Sequence, residues 1–364
     1  MTATLNKRIL TINPGSTSTK IAVYEGEKAI LQSTLRHSTE ELQVFSSIVD
    51  QFSFRKGLIV DALKQADIDI HSIAMVVGRG GLIHPIESGI YEVNDTMAED
   101  LRKGVMGEHA SNLGGLIARD IVKELDNVKA YIADPVVVDE LQDVARIAGH
   151  PQFERVSIFH ALNQKAIARC YAKEVGKHYE ELNLIVAHLG GGVSVGVHRK
   201  GRVIDVNNAL NGEGPFSPER SGGLPAWQLA EFCLSGKADA KTISKMITGN
   251  GGFVAYLGTN NAYDVEKAAE QGDAKSALIQ EAMFYQISKE IGAAAAVLEG
   301  KVDAILVTGG IAYNPYAIEY FKKHIGFIAP VHVFPGEDEM WALASNGFMV
   351  LNGEVEVKVY GGFR

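Results

Sequence analysis

A chain of 364 residues, 46% of them hydrophobic, has apolar material for more than one core and a length typical of about two domains. Its 35 basic and 44 acidic residues give a formal charge of -9 with no long basic run, which excludes a surface built to track a nucleic-acid backbone; an anionic ligand must be met locally. Cys170 and Cys233 form no CxxC pair, MTATLNKRIL lacks the apolar core of a leader, and the stretch at 291–298 is far short of the roughly 20 residues that cross a bilayer, so the expectation is a cytoplasmic protein without a membrane span.

In chain order, ILTI from Ile9 and KIAVY from Lys20 read as strands on either side of Asn13, Pro14, Gly15 and four hydroxyl residues, Ser16 to Thr19. Such a tip suits a phosphate, because backbone N–H groups and hydroxyls converge there, and the same residues would also make an ordinary polar turn. AMVV at 74–77 is a strand that runs into Arg79 between glycines. AYIA ends in Asp134 before a proline, the end of a strand where α/β sheets meet ligands. A helix is expected over 160–182, then strands LIVAHL, VSVGVH and GRVIDV, a second helix over 276–300, and the strand DAILVTGG. The alternation predicts an α/β protein with mixed sheets and a compact hinge near 149–151.

The run from Ile9 and the run from Leu184 share one plan of strand, glycine turn, alternating strand, charged glycine turn and third strand, and 303–315 adds another strand with a glycine tip at Gly309 and Gly310. Three such tips could converge on one polyphosphate. Neither a P-loop nor a GxGxxG turn is present. Gly192-Val193-Ser194-Val195-Gly196 matches a nucleophile elbow, but that motif needs a strand-to-helix turn and Ser194 lies within an alternating strand, which argues against a hydrolase.

Arg79 and Arg220 both sit on glycine-flanked loops, where a guanidinium fork can clamp carboxylate or phosphoryl oxygens; a surface salt bridge is the plainer alternative for each. Glu337, Asp338 and Glu339 precede a helix and could cap it or serve a hydrated magnesium ion. His84, His109, His160 and His188 show no metal-ligand spacing and read as positioning groups.

INPGSTSTK is similar to the opening Asn-x-Gly-Ser-Ser-Ser-x-Lys pattern of the acetokinase family, and FHALN, HLGGGVSVGVH, GPFSPERSG and VTGGIAYNP follow in that family's order. RGGL, DPVVVDE, GEGPFSPERSGGLP and AYLGTNN look like its butyrate kinases. The resemblance covers almost the whole chain. It implies an actin-like ATPase fold with a ribonuclease H-like duplication: two similar lobes of mixed β-sheet flanked by helices, with an interlobe cleft. The first lobe would span 1–149 with a C-terminal return at 340–364, and the second, holding the nucleotide, 150–339. It also implies a homo-oligomer, dimer or higher.

The implied activity is an ATP-dependent carboxylate kinase that converts butyrate or a similar short fatty acid, linear or branched, into acyl phosphate and ADP, reversibly, with Mg2+. By motif, Arg79 and Arg220 would hold the acyl carboxylate and the migrating phosphoryl group, Asp134 would orient that assembly, and His160 would stabilise the transferring group. Asn13, Ser16, Lys20, His188, Gly190, Gly191 and Gly192 would meet the nucleotide phosphates, and Gly309, Gly310, Ile311, Asn314 and Asn261 the adenosine side. Asn13 with Asp338 or Glu339 would serve the metal. Gly81, Leu82, His109 and Phe159 would line the acyl pocket. Acetate kinases carry two valines where this chain has Gly80 and Gly81, so the expectation is vacated volume that favours a four-carbon acid, and a Gly81→Val change that penalises the longer acid most. A sugar-type kinase with Asp134 as general base, and a nucleotide-driven assembly protein without small-acid transfer, are the alternatives.

Overall fold

ILTI and KIAVY pair as the alternation requires. In the structure, a computed structural model that describes residues 7–362, β1 (Arg8–Pro14) runs antiparallel to β2 (Ser18–Glu25), with Asn13 opposite Lys20. The reading of the first six residues against a leader lies outside the described residues. β3 (Lys28–Arg36) continues the meander, and β4 (Ile73–Arg79), β5 (Ile90–Glu92) and β6 (Lys129–Ala133) complete a six-stranded sheet of order β3-β2-β1-β4-β6-β5, in which β4 and β6 run parallel to β1.

Helices cover both faces of the parallel part, as strands buried on both sides need. Helix Asn112–Val122 lies against Gly78, where a Cβ would come 2.3 Å from Gly114 O, so only glycine permits that approach. Helix Glu339–Leu351 packs Gly347 against Ile9, Met75 and Val77. Successive strand residues point to opposite faces, so Val77 and Gly78 place these two helices on opposite sides.

The second sheet repeats the first. β7 (Asn183–Leu189), β8 (Val193–Arg199) and β9 (Arg202–Val206) form the meander, and β10 (Ala304–Gly309) and β11 (Val331–Pro335) add in parallel, giving β11-β10-β7-β8-β9. This matches β6-β4-β1-β2-β3 strand for strand and direction for direction. Lys200 and Gly201, with φ of 52° and 85°, make the tight β8–β9 turn that the hand of strand twist prefers. Met283, Phe284, Ile287 and Ile291 of helix Ala274–Val297 bury one face of this sheet with Ile185, Val195 and Val307; Ala168 and Tyr171 of helix Ala161–Glu174 cover Leu184, Val186 and Leu306 on the other. The helix expected to run to residue 182 stops at Glu174, before Gly176 at φ 68°, and a short 3-10 turn at Tyr179–Glu181 follows.

The chain divides into two compact units. One takes the residues up to Val138 and those from Asp338 onward, and the other takes Asp139–Glu337. Residues 149–151 lie inside the second unit, and Asp338 and Glu339 inside the first. Among the described residues no helix is long and apolar enough to cross a membrane.

Candidate active site

In the first unit, the carboxyl ends of the parallel neighbours β1 and β4 carry Asn13 and Arg79 side by side, the place where open α/β sheets present ligand groups. Glu339, at the start of helix Glu339–Leu351, joins them: Asn13 Nδ2 donates to Glu339 Oε2 (2.6 Å), Arg79 Nη1 is ion-paired to Glu339 Oε1, and the same Nη1 donates to Asn13 Oδ1 (3.4 Å). The neighbouring acids are engaged differently. Asp338 caps the helix, accepting from Trp341 N (2.9 Å), and Glu337 belongs to the second unit. Ser16, Thr17 and Lys20 are exposed at and beside the hairpin tip.

Asp134 is buried just past β6 at φ 38°, a left-handed conformation that few non-glycine residues adopt. Its Oδ1 accepts from Gly89 N (2.8 Å) while its own N–H donates to Gly89 O (3.1 Å), so it fixes the loop before β5.

The expected vacated volume beside Arg79 is absent. A Cβ on Gly81 would lie 2.4 Å from Asn112 Oδ1, 2.6 Å from Asn112 Cα and 2.8 Å from Leu101, and one on Gly80 2.5 Å from Pro135 Cβ. The two glycines admit neighbouring protein, not substrate, which corrects the pocket assigned to Gly81. Buried Asn112, unmarked by sequence reasoning, organises this region: its Oδ1 accepts from Leu82 N (2.8 Å) and its Nδ2 donates to Gly107 O (3.0 Å). His109 is exposed and bonded to Ser111 Oγ (2.8 Å), while Phe159, in the second unit, is buried.

In the second unit the ends of β7, β10 and β11 bring three glycine turns together. Gly309 and Gly336 exchange backbone hydrogen bonds (3.1 and 2.9 Å), and Gly309, at φ 92°, approaches Leu189 so closely that a Cβ would sit 2.4 Å from its carbonyl oxygen. Gly190 N bonds Gly192 O (3.0 Å), closing the turn of the HLGGG motif. Arg220 lies directly on Gly192, where a Cβ would be 1.9 Å from its Nη1. That Nη1 donates to Ala209 O (2.7 Å), the Nε is buried without a hydrogen-bond partner among the described residues, and burial lowers the guanidinium pKa. Ser217 Oγ ties the arginine's loop to Gly191 O (2.6 Å).

His160 and His188 stack with ring centroids 3.7 Å apart. His188 Nδ1 donates to Asn163 Oδ1 (2.8 Å), and its Nε2 lies 3.2 Å from Glu337 Oε1 but out of line for a hydrogen bond. Behind His160 runs a buried chain of hydrogen bonds. Tyr179 OH meets His198 Nδ1 (2.6 Å), His198 Nε2 meets Gln164 Oε1 (3.0 Å), Gln164 Nε2 donates to Ser194 Oγ (2.8 Å), and Ser194 Oγ meets His160 Nδ1 (2.8 Å). Burial, followed by the charge of Lys165, holds the pKa of His198 well below the ordinary histidine range, so this ring is neutral and carries one proton. With that proton on Nε2, His198 donates to Gln164 Oε1 and accepts from Tyr179 OH at Nδ1, and the chain ends where Ser194 Oγ meets His160 Nδ1. Ser194 lies fully buried in β8, as its strand alternation required, and holds no elbow.

A cavity of about 70 Å³ lies beside Gly310, Ile311 and Asn314, walled by Phe253, Tyr263 and Gln280. Asn261 does not line it. It is exposed and spends its Oδ1 on capping helix Ala262–Glu270 at Tyr263 N (3.1 Å). Tyr263 belongs to the segment 261–263 that the resemblance placed on the adenine side, whereas Phe253 escaped the sequence reading because glycines, not apolar residues, marked the phosphate side.

Residues 154–328 match the model of the acetokinase family. Butyrate kinase 2 of Clostridium acetobutylicum is 59% identical over 353 residues, covering 97% of this chain and 99% of that protein. A probable butyrate kinase of Clostridium botulinum (strain Alaska E43 / Type E3) is 54% identical over 356 residues, 98% of this chain and 100% of the relative. Among solved structures, Porphyromonas gingivalis acetate kinase superposes with a TM-score of 0.77 at 19% identity, over 95% of this chain and 100% of its own; a propionate kinase from Francisella tularensis gives 0.73 at 17%, over 93% and 98%. At those identities the solved structures speak to the fold, which is theirs: two mixed sheets flanked by helices. With more than half its residues shared across nearly its full length, the chain belongs to the acetokinase family, among the butyrate kinases.

Proposed function

We propose that the chain transfers the γ-phosphoryl group of ATP to the carboxylate of butyrate or a similar short fatty acid, linear or branched, giving acyl phosphate and ADP, reversibly. The observation that carries this reading is the 59% identity to a butyrate kinase over 97% of the chain. The chemistry of the side chains fits it. A short carboxylic acid is ionised at neutral pH, so its attacking oxygen needs no general base. What the protein must supply is electrostatics: positive charge to bring two anions together and to spread over the equatorial oxygens of a loose transition state.

Arg79 and Arg220 are the forks suited to that task, each held by a carboxylate or a carbonyl that fixes its direction. His160, its Nδ1 held by Ser194 Oγ, offers its Nε2 edge to a phosphoryl oxygen. With the Gly190 and Gly309 N–H groups spent on Gly192 O and Gly336 O, the glycine turns have the backbone N–H groups of Gly191, Gly192 and Gly310 for the nucleotide phosphates, and the Phe253–Tyr263 cavity offers a wall to the base. Asn13 and Glu339 fit a hydrated Mg2+, which takes one or two protein oxygens and leaves the rest to phosphates and water. When bound, that ion adds positive charge beside the transferring group. Asp134 serves in this reading as the anchor of the Gly89 loop, and the sugar-kinase alternative that makes it a base is not favoured by relatives that are butyrate kinases. Cytoplasmic location and a homo-oligomeric state belong to the same proposal.

A hydroxylamine trap tests it. Purified protein with ATP, Mg2+ and a panel of acids from acetate to isovalerate is expected to form acyl hydroxamate fastest with a four-carbon acid. Hydrolysis of ATP with no hydroxamate from any acid would overturn the reading.

A further inference from the structure

Arg55 is fully buried in helix Phe52–Gln65, yet its hydrogen bonds all go to neutral acceptors. Its Nη1 donates to Gly15 O (2.8 Å), Ser18 O (3.1 Å) and Thr19 Oγ1 (3.1 Å). Its Nη2 donates to Ser16 O (3.2 Å) and Gln51 Oε1 (2.8 Å), and its Nε to Gln51 Oε1 (3.0 Å). Among the described residues no carboxylate pairs with it, and burial lowers its pKa with no acidic neighbour to oppose the shift. A buried cation without a counter-ion is costly to keep, so its presence calls for a reason.

The three carbonyls it binds belong to the hairpin tip between β1 and β2. In a trans peptide the carbonyl and the following N–H point in opposite directions. With Gly15 O and Ser16 O turned inward onto Arg55, the N–H groups of Ser16 and Thr17 face outward, where both residues are exposed. A cation at the carbonyl end of a peptide also polarises it, which makes the outward N–H a stronger donor.

We infer that Arg55 is a positioning residue for polyphosphate: it fixes the outward N–H groups of the hairpin tip and supplies, from behind, the unneutralised charge that the bound anion balances. The inference rests on the reading that this tip holds the phosphates of ATP.

Gln51→Glu tests it in the full-length chain, because it places a carboxylate where Gln51 already meets Arg55 and cancels the charge without removing the arginine. The ligand-free variant is expected to melt higher than wild type, to bind inorganic tripolyphosphate about tenfold more weakly and to show a similarly raised KM for MgATP, with KM for butyrate within about twofold. A purely structural Arg55 would give the higher melting point with tripolyphosphate affinity and KM for MgATP unchanged, and that result overturns the inference. Should Gln51→Glu fail to fold, Arg55→Lys keeps the charge and loses the fork. Tripolyphosphate affinity weakened by about threefold or more, with KM for butyrate within about twofold, supports the fork's hold on the tip, and affinity equal to wild type overturns it. Thr17→Asp probes the underlying reading separately. Weakened tripolyphosphate binding there, beside an unaffected Gln51→Glu, would sink Arg55 alone, whereas unchanged binding in Thr17→Asp would remove the phosphate from the tip.

Discussion

Two glycines that look alike in the sequence act in opposite ways. Gly192 makes room for a functional side chain: Arg220 Nη1 occupies the place where its Cβ would stand, 1.9 Å away. Gly192→Ala must therefore push the guanidinium out of its bond to Ala209 O while leaving the β-meander paired. If Arg220 is one of the anion clamps, the expected cost is about 100-fold in kcat/KM, the size of one lost transition-state contact, with a melting temperature within a few degrees of wild type. Wild-type turnover in that variant would count against Arg220. Gly81 instead makes room for the core, since Asn112 and Leu101 already fill the space a side chain would take. Gly81→Val should then overpack the unit by about 1–3 kcal/mol, lower the melting temperature, and reduce kcat/KM for acetate and butyrate by the same factor. A selective loss with butyrate would restore the pocket reading. The valines of acetate kinases could be noticed from sequence alone, but which atoms fill a vacated volume depends on a helix some thirty residues away.

Elements carry the next level. The strands beginning at Ile9, Lys20, Leu184 and Val193 were legible because alternation and glycine turns are local signals, and their pairing into two matching sheets follows from the shared plan. Arg55 was not legible for the converse reason. It lies on the stripe Gln51, Arg55, Ile59 and Leu63, four residues apart and all buried, but a charged side chain in a helix is ordinarily read as a solvated face. Buried His198 in β8 escaped similarly, because nothing local marks a histidine whose partners, Tyr179 and Gln164, come from a turn and a helix. Its pKa is depressed by burial and Lys165, so below its ordinary value near 6.5 the unfolded chain takes up a proton that the folded chain refuses. The contribution of His198 to stability is therefore whole above that value and is lost as pH falls. His198→Asn should melt lower at neutral pH and show a flatter decline of melting temperature between about pH 7 and 5. An unchanged slope would mean that the ring titrates normally and that the hydrogen-bond chain behind His160 is not held in one protonation state.

At the scale of the molecule, the unit Asp139–Glu337 is one continuous stretch of chain, whereas its companion is assembled from both ends and depends on helix Glu339–Leu351 to cover β1 and β4. A continuous unit with its own sheet, two covering helix layers and its own core should fold alone. Where it begins is a physical question, since a hinge at 149–151 would leave residues 139–149 with the other unit. Those residues are bound into the second sheet. Glu140, buried, accepts from the fully buried Lys165 Nζ (2.8 Å) and from Val203 N (2.8 Å), and Gln142 N donates to Ile204 O (3.0 Å). Removing Glu140 would take its carboxylate partner from the fully buried Lys165 of helix Ala161–Glu174, a loss of about 3–5 kcal/mol by the usual cost of breaking a buried pair. A fragment of residues 139–337 is therefore expected to melt cooperatively and to be stabilised by ADP, and a fragment of residues 150–337 to melt far lower or not to fold. Restoring only the apolar part of the missing segment, as Glu140→Leu in the longer fragment, should leave the defect in place, because the carboxylate that meets the buried Lys165 ammonium is still missing. Equal melting of the two fragments would show that the boundary lies at the glycine-proline hinge and that Glu140 is not what holds Lys165 in the core.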